Sequence, residues 1–204
     1  MKIAVIGTGR MGTGLATGLA KAGHEVVFGS RNPDGAADAV QTSGATGATT
    51  VVEAVHGAEV IFLAVPWVAV KETLPQLGDL AGRIVVDITN PYVGGRMQHW
   101  DDTSTTEQIQ ELAPGSRVVK GWNHVYAQNL TRPDVDGQAA SVFLAGDDPE
   151  AKDTVSSLAR DIGFDPVDAG PARAARALTR LLGVMGALHL GPDRPLKVLQ
   201  RASN

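Results

Sequence analysis

The sequence predicts an α/β protein with a doubly wound, mostly parallel sheet and a small C-terminal α/β extension. Short β-branched runs alternate with helical patterns along the chain. Those runs are apolar at successive rather than alternate positions, as strands covered by helices on both faces are. A glycine-rich turn, Gly7-Thr8-Gly9-Arg10-Met11-Gly12, follows the first run directly and opens an apolar-periodic helix that contains Leu15 and Leu19.

Ile3 to Ile6 is the first expected strand. Val26 to Phe28, Val60 to Val65, Ile84 to Ile88, Val118 to Val119 and Ser141 to Leu144 follow as further strands. Turn-favouring residues cluster at Gly29 to Pro33, Thr42 to Thr50, Asn90 to Gly95 and Pro133 to Gly137, none of them long enough for a flexible interdomain linker. Asp148 is placed to cap a helix with Pro149 at its first position, and Val155, Leu158, Ala159 and Ile162 carry the apolar face up to a stop at Gly163. After Pro171, the pattern Leu178, Leu181, Leu182, Met185 predicts a last helix with a wide apolar stripe, for packing within the chain or against another subunit. The expected division is a dinucleotide-binding domain over 1–120 and a smaller region over 121–204 that completes the substrate cleft and a homodimer interface.

A chain of 204 residues accommodates one large domain with a smaller appendage, and its 43% hydrophobic and 20% charged residues suit a globular core. The net charge of −4 argues against nucleic acid as a partner, since phosphate-backbone binders carry a basic excess. With no cysteine, disulfides, thiolate catalysis and cysteine-ligated metals are excluded. No uninterrupted apolar segment of about 18 residues predicts a membrane span, and the N-terminal run is too short for a signal-peptide core, so a cytoplasmic protein is expected. His24, His56, His99, His124 and His189 lack metal-ligand spacing, and no metal is expected.

The glycine turn has the context that a dinucleotide fingerprint requires: strand before, helix after. Gly7 permits the tight turn, Gly9 lets a pyrophosphate approach the backbone, and Gly12 allows helix and strand to pack closely. Thr8, Arg10 and Met11 complete the loop, and the phosphates meet the free amides at the positive end of the helix. The expected fold is thus Rossmann-type. At the end of the second strand, where NAD enzymes carry an acidic residue for the ribose 2′-hydroxyl, this chain has Ser30-Arg31-Asn32. Arg31 offers forked donors to a 2′-phosphate and Ser30 adds a hydroxyl, so NADP(H) is the expected cofactor. Ala64-Val65-Pro66-Trp67 and Asn90-Pro91 stand at two more strand ends and are expected to line the same cleft.

The opening Lys2-Ile3-Ala4-Val5-Ile6-Gly7, Gly29-Ser30-Arg31, Val65-Pro66-Trp67, Val118-Val119-Lys120-Gly121-Trp122-Asn123 and Asp168-Ala169-Gly170-Pro171 together resemble the F420-dependent NADP reductase family, over nearly the whole chain. The resemblance implies that hydride passes directly between NADP(H) and the deazaflavin coenzyme F420, and that the protein is a dimer. It also implies that Trp122, Asn123, His124 and Val125 lie where the deazaflavin and the nicotinamide meet, with Asn123 or His124 donating to a ring carbonyl. Hydride exchange between two cofactors needs little side-chain acid–base chemistry, because the protein supplies position and electrostatics. The last helix carries Arg173, Arg176 and Arg180, with Thr179 as its hydroxyl, and the arginines are candidates for an anionic tail or another acidic substrate.

Other readings compete. Beta-hydroxyacid dehydrogenases and pyrroline-carboxylate reductases follow a similar glycine loop with a longer helical domain, whereas the stretch after Lys120 is shorter and includes a strand. Short-chain dehydrogenases need Tyr-x-x-x-Lys, but Tyr92 is followed by Arg96 and Tyr126 by Leu130. An NADPH-dependent reductase of flavin, ferric chelate or imine substrates, and a non-enzymatic NADP(H)-binding redox sensor, are the alternatives on the same scaffold.

Overall fold

In the computed structural model, which describes residues 1–135 and 137–188, β1 (Lys2–Ile6) leads through the glycine turn into α1 (Arg10–Lys21) and on to β2 (Glu25–Gly29). Then follow α2 (Ala37–Ser43), β3 (Gly47–Thr49), α3 (Val51–Val55), β4 (Val60–Leu63), α4 (Trp67–Thr73) and β5 (Ile84–Asp87). A small hairpin, β6 (Tyr92–Val93) with β7 (Arg96–Met97), precedes α5 (Thr105–Leu112) and β8 (Arg117–Lys120). A second hairpin, β9 (Asp134–Val135) with β10 (Gln138–Ala139), leads to β11 (Ser141–Ala145), α6 (Pro149–Asp161), β12 (Asp165–Gly170) and α7 (Ala175–Ala187).

Among the described residues the main sheet has the order β12-β11-β8-β5-β4-β1-β2-β3. Every neighbouring pair is parallel except β8 and β11, which meet antiparallel where Ala145 faces Lys120. The order outward from β1 runs one way through β2 and β3 and the other way through β4, β5 and β8. It reverses between β1 and β4, the crevice where open α/β sheets bind ligands. β11 and β12, beyond residue 120, extend this same sheet.

The continuous apolar character of the strands has a direct cause. Ile3 and Val5 of β1 pack with Leu15 and Leu19 of α1, while Ala4 and Ile6 face the opposite layer with Ala54 of α3 and Val70 of α4. Phe62 and Val86 go with the first layer, Ile61 and Val85 with the second, so both faces of the central strands are dry. α6 joins the first layer through Val155, Leu158 and Ala159. It begins as the sequence predicts: the Asp148 side chain accepts from the Ala151 amide at 2.8 Å, and Pro149 opens the helix.

Several turns expected from the sequence contain strand. Thr42 to Thr50 includes β3, which hydrogen-bonds to β2. Asn90 to Gly95 supplies the first strand and turn of one hairpin, and Asp134–Val135 is the first strand of the other. β12 was not expected, since Asp165-Pro166-Val167-Asp168 lacks a β-branched run; it lies at the sheet edge, where proline is tolerated. β4 ends at Leu63, and Ala64 to Pro66 form its exit.

Candidate functional site

The glycine turn is built as its residue types require. Gly7 has φ 115°, and a Cβ there would stand 2.5 Å from the Ala64 carbonyl oxygen. A Cβ on Gly12 would stand 2.0 Å from the carbonyl oxygen of Gly7, so α1 reaches the turn only because that position is bare. Around Gly9 the space is open: nothing lies within 4 Å of a Cβ built there. Gly9 is also the N-cap of α1 and no side chain caps the helix, which leaves the first-turn amides directed at that opening. A helix terminus with free amides beside open space is what a pyrophosphate needs, so the residues present fit NADP(H).

A cleft of about 430 Å³ runs from this turn across the ends of β4 and β5. Gly9, Arg10 and Met11 line one end, Ala64, Val65, Pro66 and Trp67 one wall, and Ile88, Thr89 and Asn90 the other, with Tyr92 of the first hairpin beside them. Pro91, expected there, is not part of the lining, whereas Ile88, Thr89 and Tyr92 are. Trp67 faces the cleft and is also packed edge-on against Trp100, with ring centroids 5.9 Å apart. A second cleft of similar size opens on the far side of Arg10, between α1, α2 and residues 127–131, and includes Thr8. Arg10 spans both and donates to Gln128 Oε1 at 3.2 Å.

At the β2 exit, the Ser30 hydroxyl accepts from the Asn32 amide and donates to the Asn32 carbonyl, both at 3.1 Å. Asn32 Oδ1 in turn accepts from the Gly35 amide. Ser30 and Asn32 are therefore committed to shaping the turn. Arg31, exposed between them, has no hydrogen bond or ion pair among the described residues.

Under the second wall lies a buried polar cluster that the sequence reading did not anticipate. Lys120 Nζ donates to Asp87 Oδ2 at 3.0 Å, to the Thr89 carbonyl at 2.6 Å and to Thr105 Oγ1 at 2.9 Å. Asp87 Oδ1 accepts from the Thr89 amide and hydroxyl, and Oδ2 from the hydroxyls of Thr105 and Thr106. Burial opposes charge on Asp87, but the Lys120 ammonium and the Thr89 and Thr105 hydrogen bonds outweigh it and hold its carboxyl below the usual range. Asp87 and Lys120 close adjacent strands, at strand ends already expected to meet a ligand. The remaining signal was a lysine and an aspartate at the ends of otherwise apolar strands.

The family model described as NADP oxidoreductase, coenzyme F420-dependent, matches residues 2–91. The F420-dependent NADP reductase of Methanothermobacter marburgensis is 33% identical, over 93% of this chain and 93% of that protein. The chain belongs to the F420-dependent NADP reductase family. The metalloreductase STEAP3 of Rattus norvegicus is 38% identical over 86% of this chain, but the match spans only 35% of that longer protein. A crystal structure of a candidate F420-dependent NADP reductase from Arthrobacter sp. FB24 superposes with a TM-score of 0.87 at 31% identity, covering 98% of this chain and all of the other.

Within this NADP oxidoreductase framework, the residues after Lys120 sit differently from the arrangement the resemblance implies. Trp122 is fully buried at φ 53°, edge-on to Phe62 at 5.6 Å and to Phe164 at 6.4 Å. His124 is 4% exposed, set against Phe143, and its Nε2 meets the Ser141 carbonyl at 3.1 Å. A carbonyl only accepts, so the proton is on Nε2. Burial pushes the His124 pKa down to about 4, with the Ser141 carbonyl opposing the shift and Lys120 adding to it. Neither Trp122, Asn123, His124 nor Val125 lines the cleft. Asn123 reaches it through Asn90: Asn90 Nδ2 donates to the Asn123 carbonyl, and Asn123 Nδ2 donates to Asn90 Oδ1 and to the Leu178 carbonyl of α7.

Two of the three arginines near the last helix are paired with carboxylates, and Arg173 is exposed. Arg176 forks onto Glu107 at 2.6 and 2.8 Å, and Arg180 meets Asp101 at 2.6 Å. These contacts tie α7 to α5 and the loop before it. Among the described residues no helix is long and apolar enough to cross a membrane, and His189 lies outside them.

Proposed function

We propose that this protein binds NADP(H) along the cleft between β1 and β4 and transfers hydride between it and coenzyme F420. The observation that carries this reading is the open space at Gly9 in front of uncapped α1, continuous with an apolar-walled cleft. When bound, NADPH supplies a hydride from its nicotinamide ring. The chain's own residues bind and orient it. The α1 amides and Arg10 hold the pyrophosphate, and Arg31 meets the 2′-phosphate, with Ser30 and Asn32 keeping its turn in shape. Thr8, Gly7 and Gly12 set the path of the loop. Ala64, Val65, Pro66, Trp67 and Ile88 exclude water from the reacting ring, and Asn90 presents its amide from the opposite wall. His124 is buried, uncharged at neutral pH and away from the lining, which supports a structural role for it. Asn123 works through Asn90.

On this reading 1–120 carries the cofactor, and 121–204 completes the acceptor side of the cleft. Exposed Val184 and Leu188 at the end of the described chain support a homodimer formed through the last helix, and the composition supports a cytoplasmic location. The likeness to a metalloreductase favours a second reading, in which the acceptor is a flavin or a ferric chelate rather than F420.

Anaerobic stopped-flow absorbance with NADPH and, in turn, F420, free flavin and a ferric chelate tests both. Loss of NADPH with F420 alone supports the first reading, and turnover only with flavin or chelate supports the second. Tight NADPH binding without turnover on any of them would make the protein a redox sensor.

A further inference from the structure

Asp87 and Lys120 face one another as register partners at the C-terminal ends of two parallel strands, and both side chains are fully buried. Two charges withdrawn from water are expensive to keep, and a well-packed hydrophobic pair of similar volume is often as stabilising or more so. Stability alone therefore does not account for an ion pair here. What the pair does, and apolar side chains cannot do, is hold Thr89. The Thr89 amide and hydroxyl donate to Asp87 Oδ1 at 2.8 and 2.7 Å, and the Thr89 carbonyl accepts from Lys120 Nζ at 2.6 Å. Every polar group of Thr89 is thereby engaged by the pair.

Thr89 stands between Ile88 and Asn90, and all three line the cleft. Asn90 is held from the side by Asn123, three residues beyond Lys120 on the same strand exit. That exit is constrained in its turn, because a Cβ on Gly121 would meet Leu144 at 2.9 Å and Trp122 takes a left-handed φ of 53°. Lys120 itself is not part of the cleft lining.

We infer that Lys120 is a positioning residue for the reduced cofactor: with Asp87 it fixes the backbone of Thr89 from below, so that the wall 88–90 stands ready for the nicotinamide half of NADP(H). The inference rests on the reading of the cleft as an NADP(H) site. It makes a directional statement about the ligand. The 2′-phosphoadenosine half, assigned to Arg31 at the β2 exit, does not depend on Lys120, whereas the nicotinamide half does.

The test is a pair of titrations, of 2′,5′-ADP and of NADPH, on the full chain and on the double variant Asp87→Asn with Lys120→Met. That change removes both charges together and keeps an amide for the threonine hydroxyls, so no lone charge is left buried. Cooperative thermal melting checks that the variant is folded. The expected result is unchanged 2′,5′-ADP affinity with NADPH affinity weakened on the order of tenfold, as misplacement of a supporting shell produces. Unchanged affinity for both, or equal weakening of both, would overturn the inference. Should the double variant fail to fold, Thr105→Val decides by the same titrations, since it removes only the hydroxyl bridging Lys120 and Asp87. Weakened NADPH with unchanged 2′,5′-ADP supports the inference there too, and any other pattern overturns it. A wild-type chain that binds neither ligand would instead overturn the cofactor reading of the cleft.

Discussion

Asn90 and Asn123 are joined twice, the Asn90 Nδ2 donating to the Asn123 carbonyl at 2.7 Å and the Asn123 Nδ2 donating to Asn90 Oδ1 at 3.2 Å. The backbone carbonyl can only accept, so it fixes which end of the Asn90 amide faces it. Asn123 also donates to the Leu178 carbonyl at 3.1 Å, which couples the cleft wall to the last helix. Asn123→Ala strips a donor from both acceptors in a buried setting. Urea denaturation is expected to show a loss of about 1–3 kcal/mol, and isothermal titration a weaker NADPH complex. A variant with wild-type stability and wild-type affinity would contradict the coupling.

Arg31 is exposed at the β2 exit and has no protein partner among the described residues, so a charge reversal there should act on the ligand rather than on the fold. Arg31→Glu is expected to leave the melting temperature within a few degrees and to weaken NADPH binding by at least about tenfold, as for a charge pair turned repulsive. Binding of NADH, which lacks the 2′-phosphate, should change far less. Equal losses for the two nucleotides would remove Arg31 from the phosphate site.

The glycines of the turn should separate folding from binding. Gly12→Ala drives a methyl group to within 2.0 Å of the Gly7 carbonyl oxygen, so α1 must withdraw from the turn. Scanning calorimetry should report a destabilisation of about 1–3 kcal/mol or more, as for overpacking in a rigid setting. At Gly9, by contrast, the same methyl meets open space. Gly9→Ala is expected to melt like the wild type yet lose NADPH affinity, because its methyl occupies the approach of the pyrophosphate.

His124 predicts an acid-labile fold. Its folded pKa of about 4 lies below the ordinary value of 6.5, so the unfolded chain takes up the proton first. The stability it contributes is complete above pH 6.5 and is lost as the pH falls from there towards 4. Across that window the loss is expected to reach about 3 kcal/mol, at roughly 1.4 kcal/mol per pKa unit. Urea midpoints measured at several pH values between 7 and 4 check it, with His124→Phe as the comparison. A wild-type profile no steeper than that of His124→Phe would show that the imidazole is not the group responsible.

Local signals carried much of this structure. Continuous apolar strands, the glycine turn and the Asp148-Pro149 start are short-range patterns, and their physical meaning holds within a few residues of chain. The capping pattern Thr50 to Glu53, which opens α3 with a reciprocal pair of bonds, and the Ser104 cap of α5 are equally local signals. The edge strands β3 and β12 were not legible in this way. Each is held by one neighbour, and the composition of neither announces a strand.

The sequence by itself determined that a dinucleotide fingerprint opens the chain, that Arg31 stands where an acidic residue would select NAD, and that the central strands are dry on both sides. Those facts depend on residue type and spacing. Only the tertiary structure decided which polar residues reach the cleft and which are consumed holding it. Asn123 and His124 are adjacent in the chain, yet one braces Asn90 and the other is sealed against Phe143 and the Ser141 carbonyl. Arg176 and Arg180, equivalent as sequence charges, are paired to Glu107 and Asp101 across distant chain positions. Lys120 finds Asp87 because β5 and β8 are sheet neighbours, and that neighbour relation is a property of the packed sheet rather than of either segment.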